Sequence, residues 1–147
     1  MNAELSTRSV VIEREMPHAP EKIWRALTQA PLIEQWLMKN DFEAVKGRRF
    51  NFRAPPQPNW NGVTDCEVLL VEPPVRLAYT WSASGEQAAS GPKTVVTWTL
   101  EPTKSGTLVR MEHSGFGFGP DKERFYQGAS YGWQRFVASL EKVLATL

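Results

Sequence analysis

From residue 42 to residue 114 the chain alternates apolar and polar residues, and from about residue 122 to its end it carries one long helical stripe. In the first stretch "RRFNFR" puts Phe50 and Phe52 on one side, and "VRLAYTW" puts Leu77, Tyr79 and Trp81 together. "TVVTWTLE" does the same for Val96, Trp98 and Leu100, and "TLVRMEH" for Val109, Met111 and His113. Alternation of this kind marks a strand with one buried face. A further strand, "VTDCEVLLVE", runs up to the Pro73-Pro74 break. The separators "APPQPNWNG", "SASGEQAASGPK", "PTKSG" and "GFGFGPD" are turn and loop material. Short loops between successive strands favour an antiparallel sheet. In the closing stretch Phe125, Ala129, Trp133, Phe136, Leu140, Val143 and Leu147 recur at spacings of three and four, the apolar face of a helix. A sheet with one apolar face and one long apolar-striped helix bury both faces by packing on each other.

Upstream, "SVVIEREM" reads as a strand with Val10, Ile12, Arg14 and Met16 on one face and Val11, Glu13 and Glu15 on the other. Two short helices follow, since Pro20 and Pro31 each suit a first helical turn. The first groups Ile23, Trp24 and Leu27, the second Leu32, Ile33 and Trp36. Strands run together, with helices segregated from them, indicate an α+β fold. The 147 residues are the size of one domain around one core, so residues 1–147 are expected to form a single domain. A net charge of +1 supplies no field to recruit nucleic acid or an anionic membrane. No apolar run approaches the roughly 20 residues that span a bilayer, and the first residues lack the layout of a signal peptide. The sole cysteine, Cys66, forms no internal disulfide and suits a reducing compartment. The expectation is a cytoplasmic protein without nucleic-acid or membrane partners.

The order of these landmarks resembles the START-like (SRPBCC) superfamily and its helix-grip fold. Within it, the chain is most similar to the family named after the activator of the 90-kDa heat-shock-protein ATPase. The pieces that carry the resemblance are "REMPHAPEKIWRALTQAPLIEQW", "LAYTW", "GTLVRMEHSGF" and "YGWQRFVASL", in that order over nearly the whole chain. The resemblance implies a curved antiparallel sheet wrapped round the C-terminal helix, with a cavity between them. Members include aromatase and cyclase enzymes, lipid carriers and co-chaperones, so the fold alone does not give the function. The co-chaperones carry a further domain ahead of this one. Here the first strand begins within about ten residues of Met1, so that domain is expected to be missing and a chaperone partner is disfavoured.

Several chemistries are poorly encoded. The histidines His18 and His113 are far apart and Cys66 stands alone, so no metal site is expected. There is no G-x-S-x-G segment for a hydrolase. "GFGFG" has Pro120 where a dinucleotide loop needs glycine, and no strand follows its helix. It reads as an ordinary flexible loop, and its better functional reading is a mobile lid carrying Phe116 and Phe118 beside the cavity mouth. "KGRRFNFR" reads as a strand with its phenylalanines inward and its arginines in water.

The candidate cavity residues are Arg14, Trp36, Phe50, Phe52, Tyr79, Trp81, Trp98, His113, Phe116, Phe118, Gly132 and Trp133. Apolar ligands are held by aromatic walls with a few placed polar groups, and the same aromatics equally make an ordinary packed core, two readings the sequence does not separate. Arg14, at inward parity, either finds an internal partner or extends past the sheet edge into water, or it meets a ligand's carboxylate or phenolate; the expectation is an inward guanidinium on the cavity or a buried carboxylate. His113 is either a satisfied core histidine or a donor and general acid–base. Gly128, Gly132 and Ser139 border the helical stripe. There they either admit close backbone approach or leave internal volume, the second being favoured. The leading expectation is a binding protein, monomer or homodimer, for an apolar or aromatic, weakly acidic ligand. It needs no cofactor. Alternatives are a cyclase or aromatase on the same cavity, using His113, Arg14 or Tyr79, and a co-chaperone-like interaction domain.

Overall fold

The computed structural model describes residues 7–58, 60–83 and 93–147. Strand β1 (Arg8–Met16) leads into helices α1 (Pro20–Thr28) and α2 (Ala30–Trp36). Strands β2 (Lys39–Asn40), β3 (Arg49–Arg53), β4 (Val63–Glu72), β5 (Arg76–Ala83), β6 (Lys93–Thr103) and β7 (Gly106–Phe116) follow, and helix α3 (Pro120–Thr146) closes the chain. The strands form one curved antiparallel sheet in the order β1-β7-β6-β5-β4-β3-β2. This is the helix-grip arrangement, with the two short helices where Pro20 and Pro31 placed them. The expected loop over 82–93 lies for the most part outside the described residues.

Alternation settles which face of each strand is buried. Phe50 and Phe52, Leu77 and Tyr79, Val96, Trp98 and Leu100, and Val109, Met111 and His113 all point into the core. Arg49 and Arg53 stand exposed on either side of the phenylalanines. Helix α3 meets this face with Trp133, Val137, Leu140 and Leu144, while Phe125, Ala129, Phe136 and Val143 flank them. The stripe is therefore turned slightly from the expected one. Val137 and Leu144 belong to it, and Leu147 is exposed.

Antiparallel order sorts the connections by end. The β3–β4, β5–β6 and β7–α3 connections share one end of the sheet, and the β4–β5 and β6–β7 turns share the other. At that second end the β6–β7 turn docks on the link from β1 to α1, where the Thr107 hydroxyl donates to the His18 carbonyl at 2.7 Å. The Trp36 indole N–H donates to the Ala26 carbonyl at 2.8 Å, tying α2 to α1. Among the described residues, no helix is long and apolar enough to cross a membrane.

Candidate functional site

The aromatic side chains predicted to face inward meet in one continuous cluster. Phe52 contacts Tyr79 and Trp81, with ring centroids 6.0 and 5.2 Å away. Trp81 contacts Trp133 at 5.3 Å, Trp133 contacts Trp98 at 5.8 Å, and Trp98 meets Trp36 edge-on at 5.6 Å. Phe50 packs against Phe52 and Tyr79. Most of these rings are fully buried, but Trp81 keeps part of its surface open. It lies near the end of β5, at the sheet end shared by the β3–β4, β5–β6 and β7–α3 connections.

Through this cluster runs a chain of polar contacts whose protons can be placed. An indole N–H only donates, so the 2.8 Å contact from Trp133 Nε1 makes His113 Nδ1 an acceptor. Neutral His113 then carries its proton on Nε2 and donates to Thr94 Oγ1 at 2.6 Å. The Thr94 hydroxyl in turn donates to the Trp81 carbonyl at 2.8 Å. Both ring nitrogens are therefore engaged. Burial disfavours the imidazolium and lowers the His113 pKa to about 3. Phe116 closes over the ring at 4.6 Å. This is the satisfied core histidine of the two sequence readings, and it has neither a lone pair nor a proton free for acid–base work near neutrality.

Two other polar groups of the cluster behave differently. The Tyr79 hydroxyl accepts from Trp98 Nε1 at 3.1 Å. Burial, more than any other influence, pushes its pKa up, so it stays a neutral phenol. Cys66 is buried too, and desolvation, helped by nearby Asp65 and Asp41, pushes its thiol pKa up, which makes it an inert thiol. Among the described residues no Asp, Glu, Lys or Arg is buried. Nor do three His, Cys, Asp or Glu gather there as metal ligands would.

Three candidates lie outside the cluster. Arg14 does share the face of Ile12 and Met16, but its side chain is 49% exposed, and its guanidinium reaches out to Glu141 at 3.9 Å. Strand β1 is the sheet edge, and a long basic side chain there extends past the core into water. Phe118 is 58% exposed. It does not line the interior but lies over the Arg8 guanidinium, which Tyr126 covers from 3.8 Å and Glu123 pairs with. Gly132 is only half-buried, and a Cβ built there would meet nothing nearer than Phe136 Cε2 at 3.7 Å. The sheet backbone does not approach it. Sequence reasoning missed Thr94, although it shares inward parity with Val96 and Trp98. It also missed Phe42, which packs edge-on against Phe50 at 5.0 Å from an irregular segment without periodicity.

The architecture recurs in solved structures. Protein MLL2253 from Mesorhizobium loti is 52% identical, with a TM-score of 0.84 over 95% of this chain and 98% of its own. DynU16, a protein in the dynemicin biosynthetic locus, is 26% identical with a TM-score of 0.76, covering 94% of this chain. The match takes in 47% of DynU16, so this chain corresponds to about half of that protein. The Aha1 dimer from Colwellia psychrerythraea is 25% identical with a TM-score of 0.76, over 93% of this chain and 96% of that one. No protein of curated function matches. Residues 17–145 match the family described as "Activator of Hsp90 ATPase homolog 1-like protein", and the chain belongs to that family.

Proposed function

We propose that this protein binds a small apolar or aromatic molecule between the sheet and α3, admitted at the Trp81 end, and returns it unchanged. The observation that carries the reading is Trp81 itself. Among the described strand residues whose rings face the helix, it is the one in this cluster that stays partly open, while its neighbours Phe52, His113 and Trp133 are at most 2% exposed. An aromatic-walled interior that opens at one end suits a flat apolar ligand. The occurrence of DynU16 in a biosynthetic locus is compatible with small-molecule handling. A cyclase or aromatase is less well supported. Catalysis of that kind needs a group that exchanges protons near neutral pH, and in the cluster His113 is held neutral by burial with both ring nitrogens engaged, while Tyr79 and Cys66 are held protonated by burial.

The test is titration with N-phenyl-1-naphthylamine, a neutral apolar dye. One dye per chain is expected, with tryptophan emission quenched by transfer to it, and Trp81→Ala should weaken binding at least fivefold. Folded protein showing no saturable binding would overturn the reading. In a chaperone-type role the interior stays empty while a folded partner binds, so the same titration separates the two. Native mass spectrometry of protein from its own host adds the mass of any retained ligand, and an unaltered mass after incubation separates carrier from enzyme.

A further inference from the structure

Nearly every polar hydrogen in the interior has an acceptor. The indole N–H groups of Trp36, Trp98 and Trp133 donate to the Ala26 carbonyl, the Tyr79 hydroxyl and His113 Nδ1. Thr94 and His113 complete their own chain. Among the described residues on the sheet's inward face, the hydroxyl hydrogens of Thr64 and Tyr79 and the Trp81 indole N–H lack an acceptor, and away from that face so do Arg8 Nε and Arg48 Nε. Tyr79 uses its hydroxyl oxygen to accept from Trp98, and among the described residues its O–H meets no acceptor, although the residue is 3% exposed. Trp81 Nε1–H likewise makes no hydrogen bond to a described residue, but its ring is only half-buried and this nitrogen is not a buried atom. The two residues are neighbours on the same face of β5, and Phe52 touches both rings.

Buried donors without acceptors are rare in folded proteins and are a reason to look for a missing partner. The interior offers donors and no positive charge, since Arg14 is at the surface and His113 is neutral. A carboxylate or phenolate would enter without a counter-charge, which is strongly unfavourable. A neutral carbonyl or ether oxygen suits what is there.

Building on the ligand-binding reading, we propose that Tyr79 and Trp81 select a neutral aromatic ligand carrying an acceptor oxygen, a ketone or quinone rather than an acid, with the Tyr79 hydroxyl as the anchoring donor. This departs from the weakly acidic ligand that Arg14 suggested in the sequence.

The experiment uses three probes of similar size: naphthalene, 2-acetylnaphthalene and 2-naphthoate. Wild-type protein should bind the ketone about tenfold more tightly than the hydrocarbon, the ratio that one hydrogen bond supplies, and the carboxylate most weakly. Tyr79→Phe should bring the ratio of ketone to naphthalene affinity to about one, a ratio that the loss of the Trp98 contact alone does not change, and a thermal melt shows whether the variant folds. The infrared carbonyl band of bound 2-acetylnaphthalene should shift to lower frequency in wild type and not in Tyr79→Phe. Equal binding of ketone and hydrocarbon by wild type overturns this proposal and leaves ligand binding standing. So does preferred binding of 2-naphthoate. Binding of none of the three overturns ligand binding itself. If Tyr79→Phe fails to fold, the wild-type probe ranking and carbonyl band still decide.

Discussion

At pH 4 this protein is expected to be about 3 kcal/mol less stable than at pH 7 on account of His113 alone. Its pKa is lowered from 6.5 to about 3 by burial. Between those values the unfolded chain binds a proton that the native state refuses. Stability contributed by the neutral ring is thus complete above the unfolded pKa and falls as the pH drops, by up to about 1.4 kcal/mol per pH unit. Protonation would also put a hydrogen on Nδ1, where the Trp133 N–H already points from 2.8 Å, so two donors would face each other. Glu15 and Glu123 add their own losses at lower pH, because hydrogen bonds from Ser105 and Thr103, and from Arg8 and Gln127, lower their pKa values. The histidine term is isolated by comparison with His113→Gln, whose amide can accept and donate but does not titrate. Urea unfolding of both proteins from pH 7.5 to 4 should give curves that diverge below pH 6.5. Parallel curves would mean that the ring titrates normally and that the proton placement is wrong.

The sheet and its buried face were readable because a strand with one buried side repeats every second residue, and Phe50, Tyr79, Trp98 and His113 sit where that period puts them. Parity says which face a residue takes, not how far it lies from the core. Arg14 has the parity of Met16, yet β1 is an edge and Glu141 of α3 waits outside it. The hydrogen-bond chain was not readable for a different reason. Thr94, His113 and Trp133 come from β6, β7 and α3, and only the register of Val96 with His113 and the rotation of α3 bring their polar atoms together. The glycine-flanked Phe118 reads in the sequence as part of a lid beside the cavity mouth. Its partner is Arg8, more than a hundred residues away in the chain, and no local pattern announces such a pair.

Replacing Gly106 by alanine is expected to cost at least about 3 kcal/mol, whereas Gly132→Ala should stabilise by about 0.5–1 kcal/mol. The helical glycines drew attention in the sequence because glycine is costly inside a helix. Yet a Cβ at Gly132 makes only ordinary contact with Phe136 at 3.7 Å, and one at Gly128 meets nothing within 4 Å. Alanine there removes backbone entropy from the unfolded chain and clashes with nothing. Gly106 sits in an unremarked turn of the "PTKSG" segment, where a Cβ would lie 2.0 Å from the Met16 carbonyl oxygen and 2.9 Å from Pro17 Cα. Both obstacles are backbone, so no side chain can swing aside. Gly106 is not among the glycines with positive φ, so the constraint is space and not conformation. Relief requires the β6–β7 turn to lift from the end of β1, straining the Thr107 to His18 hydrogen bond that fixes the start of α1. Urea melts of the single variants decide both claims. A Gly106→Ala protein within 0.5 kcal/mol of wild type, the usual range of a surface change, would show that the turn does not need this contact. A Gly132→Ala protein less stable than wild type would show that α3 packs more closely there than 3.7 Å implies.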